Sequence, residues 1–226
     1  MNELIAGGLA ALAGWFAWRA WRDNARLTAA RAQLLAGLGE ILTDISKTPL
    51  PSGYVKVTGT YRGQPAIFEP VVDTLNVRKL PVLWLMVTVP QPVQTGATFD
   101  LMMRASGLEV FSGYRDLDHT INPPPGFPEW AGIRTDDPMR LPPPEIFTPY
   151  LARFHEGVGK ELLVTPKGLR MVVMIDQGDR GSYLIFRDAS FGVTQLAPDM
   201  LRSILDDLLA LHGDLAALQA QRAVAS

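Results

Sequence analysis

Tyr114-Arg115-Asp116-Leu117-Asp118-His119 is the one local crowd of ionisable side chains around a histidine. In an extended backbone Asp116 and Asp118 share a face, because side chains alternate every second residue. Two carboxylates beside an imidazole can hold a divalent cation or share a proton. Asp116, Asp118 and His119 are therefore the candidate ligand- or metal-binding residues. They fall short of a full coordination sphere, so no metal is assigned, and a solvated strand end is the plainer reading. Glu129, Asp136, Asp137 and the pair His155-Glu156 are carboxylates and an imidazole that folding could bring beside them. His212 sits between leucines at helical spacing and reads as a helix-border side chain, and Arg78-Lys79 reads as a basic pair facing water or anionic headgroups.

Known chemistries are thinly represented. The chain has no cysteine and three histidines, which excludes a disulfide framework, a thiol nucleophile, an iron–sulfur cluster and a cysteine-rich zinc site. The short glycine-rich, zinc-protease and serine-nucleophile signatures are missing, so no catalytic residue and no cofactor is assigned. A net charge of -2, from 21 basic and 23 acidic residues, provides no field to hold a polyanion, and nucleic acid is not an expected partner.

The segment 119–149 carries nine of the 18 prolines, including Pro123-Pro124-Pro125 and Pro142-Pro143-Pro144, and has no sustained period. Its apolar side chains gain from burial, which argues against a free linker. It reads as a proline-stiffened crossing packed over the body, and Phe127, Trp130 and Phe147 are the candidate interface residues on it.

The elements that must position these groups follow from periodicity. Residues 54–61, 66–72, 82–89, 99–104, 161–165, 169–175 and 183–186 read as strands joined by short turns at Arg62-Gly63, Pro166-Lys167 and 177–181. Close-set strands with short links imply an antiparallel sheet. A helix is expected from about Pro198 to Arg222, with Leu201, Ile204, Leu208, Leu211, Leu215 and Leu218 spaced by three and four, Leu205 and Leu209 widening the stripe, and Leu205 and Leu208 closing the core. A seam this wide covers a sheet; the run is short for coiled-coil dimerisation, so homo-oligomerisation is not favoured.

The N-terminus reads as a membrane anchor. Leu4 to Trp18 is uncharged, Trp15, Trp18 and Trp21 crowd its end, and Arg19 and Arg22 follow, the arrangement of a membrane interface with the positive flank inside. Bulky tryptophans where a cleavage site belongs argue against a cleaved signal peptide. Ala6, Ala10 and Gly14 repeat every four residues, a spacing that lets another membrane helix approach. The expected organisation is a transmembrane anchor at 1–22, an amphipathic helix at 23–48 and an α+β domain at 49–226, a mainly antiparallel sheet covered by amphipathic helices. The functional expectation is a signal-anchored, single-pass protein of the cytoplasmic membrane, N-terminus outside, in contact with the lipid bilayer and a membrane-protein partner. On this reading it acts as a non-enzymatic accessory or assembly factor. The alternative is a ligand- or metal-binding, hydrolase-like domain built on Asp116, Asp118 and His119.

Overall fold

Alternation along the strands decides which side chains face the core. In Val82–Val89, the fourth strand, Leu83, Leu85, Val87 and Val89 are buried while Val82, Trp84, Met86 and Thr88 are partly exposed on the opposite face. The computed structural model describes residues 2–74, 80–179 and 189–225, with side chains at 12–74, 80–179 and 189–223. Among these, nine strands form one antiparallel sheet: β1 (Thr43–Pro49), β2 (Val55–Tyr61), β3 (Gln64–Asp73), β4 (Val82–Val89), β5 (Phe99–Met103), β6 (His119–Ile121), β7 (Ala131–Thr135), β8 (Gly159–Thr165) and β9 (Gly168–Gln177). Their order is β1-β2-β3-β4-β9-β8-β5-β7-β6.

The expected α+β class with an antiparallel sheet is what the chain adopts. The β2–β3 hairpin turns on Arg62-Gly63, both at positive φ (48° and 78°), the pairing whose twist matches a two-residue hairpin. Arg78-Lys79 and the strand expected at 183–186 lie outside the described residues, as do residues 180 and 181 of the turn expected at 177–181.

Among the described residues three helices accompany the sheet: α1 (Asn2–Ala32), α2 (Ala152–His155) and α3 (Pro198–Ala225). Leu201, Ile204, Leu205, Leu208, Leu211 and Leu215 of α3 are buried, and the helix packs on β4, β9 and the 3-10 turns Ala36–Glu40 and Pro144–Tyr150. Polar ties fix it at its flanks: Tyr61 donates to Asp206 (2.8 Å), Tyr150 to Asp214, and Arg153 pairs with Asp207 (3.3 Å).

The region before the sheet differs from expectation. α1 is continuous through Asp23-Asn24 and ends at Ala32; the amphipathic pattern of 34–42 folds into a short 3-10 turn that buries Leu34, Leu35, Leu38 and Leu42; and 43–49 is the edge strand β1. Among the described residues no helix is long and apolar enough to cross a membrane. The uncharged run Leu4–Trp18 is rich in alanine and glycine, which contribute little transfer energy, and Arg19, Arg22, Asp23 and Arg26 follow within the same helix. Those cations fold back on their own helix: Arg19 lies over Trp15 (5.5 Å) and reaches Asp23 (3.8 Å), and Arg22 lies over Trp18 (4.7 Å). The transmembrane anchor is therefore corrected. With it go the bilayer contact at Trp15, Trp18, Arg19, Trp21 and Arg22, the membrane-protein partner inferred from the anchor, the single-pass topology and the tethered accessory role.

Candidate functional site

The two faces of the sheet are unlike. One carries the core under α3. The other is covered at one end by the segment 104–118 and opens at the other into a cleft of about 590 Å³.

Strand register builds the covered end. Asp100 on β5 stands opposite Arg134 on β7 and Leu163 on β8, which faces Arg170 on β9; one row over, Glu161 faces Met102 and Val172. Two carboxylates thus lie between two guanidinium groups on one face. Glu161 pairs with Arg170 (2.8 Å), and both carboxylates are buried, each with one oxygen, Asp100 Oδ1 and Glu161 Oε1, lacking a hydrogen-bond partner among the described residues. Burial, and after it the charge of Glu161, pushes the Asp100 carboxyl up to about 8, against the pull of Arg170. Burial raises Glu161 as well, opposed first by Arg170. Arg170 bonds Glu161 directly, so Asp100 is the member that keeps its proton at neutral pH.

Above them the cover is clamped at several points. Arg134 donates to the carbonyls of Arg115 (3.0 Å) and Leu117 (3.1 Å) and lies over the Tyr114 ring. Gly132 leaves room for the Tyr114 hydroxyl, which would sit 2.3 Å from any Cβ there. Phe111 meets Trp84 edge-on at 6.0 Å. Lys160 donates to Glu109 (3.0 Å) and to the carbonyls of Met103 (2.8 Å) and Arg104 (3.3 Å). Burial opposes the charge of Glu109, but the Ser106 amide and then Lys160 outweigh it and bring its carboxyl down to about 2.

The cleft lies where two strands carry an extra residue. On β8 the register steps between Gly159 and Glu161, which leaves Lys160 as the additional residue against β9; on β9 it steps opposite Leu83 and Trp84, leaving Ile175. A bulge bends its strand and re-aims side chains, and here one of them turns Lys160 toward the cleft although Glu161 beside it faces the covered row. Val82, Trp84 and Met174 from the strands line the cleft together with Met103, Phe154 and Trp130. Gly159 is required for this geometry, since a Cβ there would meet the Phe154 ring at 2.7 Å. Polar groups join at the rim: Asp73, Arg104, Glu109, Glu129, His155, Lys160 and Gln177. His155 shares a hydrogen bond with the Gly126 carbonyl (3.2 Å) through Nε2.

The residues singled out in the sequence divide between the cleft and other places. Glu129, Trp130 and His155 come together in the cleft. Asp116, Asp118 and His119 do not join them; they are exposed between the 3-10 turn Tyr114–Asp116 and the edge strand β6. Among the described residues no three histidine or carboxylate groups gather to hold a metal ion, which corrects the metal-binding alternative at these positions. An edge strand of three residues leaves that stretch exposed, with no described residue folded over it. Asp136 accepts from the Thr98 amide and hydroxyl (both 2.8 Å), Asp137 pairs with Arg140 (3.3 Å), and His212 meets the Pro92 carbonyl (3.0 Å). Phe147 is fully buried, stacked on Phe99 at 3.8 Å; Phe127 packs half-buried against the core; Trp130 is 58% exposed.

Sequence reasoning passed over Trp84, Lys160, Asp100 and Glu161. One signal was present: Lys160-Glu161 opens an apolar strand with two consecutive charges, and alternation cannot send both to water on the same face. Comparison with known proteins returns no match: no family model fits the chain, and no curated protein or solved structure is similar to it.

Proposed function

We propose that the protein is a binding domain that holds a small, largely apolar organic molecule in the cleft on the outer face of its sheet. The observation that carries this reading is the cleft itself: about 590 Å³, within the range of small-molecule sites, floored by aromatic and thioether side chains with a few polar groups at its rim. Two bulges and a glycine at the Phe154 contact support it, because they bend the strands around a space that a regular sheet would fill. The clamped segment 104–118 supports it further, since it walls one side without closing the space. The chemistry is retention by burial of apolar surface, with the polar rim setting orientation.

N-phenyl-1-naphthylamine, a neutral apolar fluorophore, tests this. Native protein should enhance its emission saturably, with one probe per chain and quenching of tryptophan emission. Trp130 is exposed at the rim, so Trp130→Ala should leave the fold intact, as circular dichroism can verify, and weaken binding about ten-fold. Non-saturable enhancement, or affinity unchanged in Trp130→Ala, overturns the reading.

A further inference from the structure

Resting on the reading of the cleft as a small-molecule site, we infer that its ligand is an organic acid: an apolar body on the Trp84 floor and a carboxylate head at Arg104. Among the described residues, the buried polar atom of the cleft lining that lacks a hydrogen-bond partner is a donor. Trp84 lines the cleft, and its indole Nε1–H is buried with no partner among the described residues. An N–H left in that state costs free energy that an entering acceptor recovers. Arg104, at the mouth, has a guanidinium that makes no hydrogen bond or ion pair among the described residues. Its backbone is also unusual, a non-glycine residue at φ 45° directly after β5. Two bonds hold it there: the Arg104 amide donates to the Trp130 carbonyl (3.0 Å), and the Arg104 carbonyl accepts from Lys160 (3.3 Å). A costly left-handed conformation maintained from both sides fixes where the side chain starts, and it starts at the cleft.

The acidic groups of the site do not cancel this demand. Glu109 is engaged by Lys160, by the Ser106 amide and hydroxyl, and by the Gly107 amide. Asp73 is not a free carboxylate either. Glu129 is exposed to water on the rim, as Arg104 is, but among the described residues no buried unpartnered acceptor lines the cleft, whereas the Trp84 N–H does. Lys160 is consumed by Glu109 and two carbonyls, which leaves Arg104 to meet an incoming charge. A carboxylate accepts from a guanidinium in a charge-assisted bond, and an apolar chain or ring behind it covers Trp84, Met103 and Met174. A fatty acid and a free aromatic acid offer the same chemistry, and competition with each distinguishes the two sources.

Displacement of bound N-phenyl-1-naphthylamine by decanoate, decanol and decyltrimethylammonium, all below their aggregation limits, compares three heads on one tail; naphthoate adds the aromatic acid. Decanoate or naphthoate should displace the probe at about ten-fold lower concentration than decanol or the ammonium. That advantage should shrink as salt is raised and vanish in Arg104→Gln while decanol is unaffected. Trp84→Phe keeps the ring but removes the N–H, and should weaken decanoate and decanol alike by a few-fold. Equal or tighter displacement by the alcohol or the ammonium overturns the inference and leaves the cleft a binding site, with Glu129 as the group that then favours a cation. An acid preference that survives Arg104→Gln overturns it too. Failure of the neutral probe itself to bind removes the parent reading as well.

Discussion

Asp100 and Glu161 are side by side and buried, and among the described residues only Glu161 has a guanidinium in direct contact. Two buried charges of like sign are relieved by protonating one, and the carboxyl pushed up to about 8 is that of Asp100. The folded protein thus binds a proton that the unfolded chain releases near the ordinary carboxylate value. This contribution to stability is fully present below that value, is lost as pH rises toward about 8, and is constant above it. Asp100→Asn keeps the neutral shape without a proton to lose. It should raise stability on the order of 2 kcal/mol or more at pH 7, with the gain falling to near zero by pH 4. Denaturant melts of both proteins from pH 4 to pH 9 give the comparison, and parallel pH dependences would mean that Asp100 is charged in the fold. Glu109 has the opposite sign. Its lowered carboxyl stabilises the fold above the ordinary carboxylate value and stops doing so as pH falls toward about 2, so the clamp between Lys160 and the cover is the acid-sensitive one.

At the level of elements, what was legible in the sequence was what periodicity reports. β4 runs over the eight residues that its apolar character marked, and α3 buries Leu201, Ile204, Leu208, Leu211 and Leu215 of the stripe spaced by three and four, leaving Leu218 half-buried at its end. Leu208→Ala should therefore cost about 2–5 kcal/mol, from lost transfer energy and an incompletely relaxed cavity, measurable by urea denaturation. A change within about 0.5 kcal/mol would mean that α3 yields at that position. β1 was hidden because Thr43–Pro49 is polar and exposed along its length, an edge held by pairing with β2 and not by burial. The strands β6 and β7 were hidden inside the proline-rich crossing, where three- and five-residue strands are too short to show a period. The cleft was hidden for a different reason. It depends on two bulges, and a bulge is an interruption of the very alternation by which strands are recognised. Glu129, Trp130 and His155 could be named in advance as chemically capable; nothing in their spacing connected them to Trp84 on a strand some 45 residues earlier or more.

For the whole molecule, the asymmetry between faces organises everything else. α3 and the buried leucines in and beside the 3-10 turn Ala36–Glu40, Leu34, Leu35, Leu38 and Leu42, complete the core on one side, and the ion-paired cover and the cleft share the other. α1 belongs to neither. Its side chains from Leu12 to Ala30 are exposed apart from a half-buried Arg22, including Trp15, Phe16, Trp18 and Trp21, and it meets the body at its C-terminal end, where Arg31 donates to the Ser52 carbonyl (2.8 Å) and lies over Tyr54 (5.5 Å). The slightly apolar mean hydropathy of the chain, +0.10, therefore comes in part from a helix outside the core. A helix that removes little surface from water adds little to the cooperative unit. A chain beginning at Leu27 keeps Thr28, Arg31 and the Arg31 contacts, and it should unfold with a stability within about 0.5 kcal/mol of the full chain and with nearly the same denaturant slope, since the slope follows the surface exposed on unfolding. Loss of more than about 2 kcal/mol, or a clearly smaller slope, would mean that α1 folds back onto the sheet in solution, and the uncovered face around the cleft would then be the surface it protects.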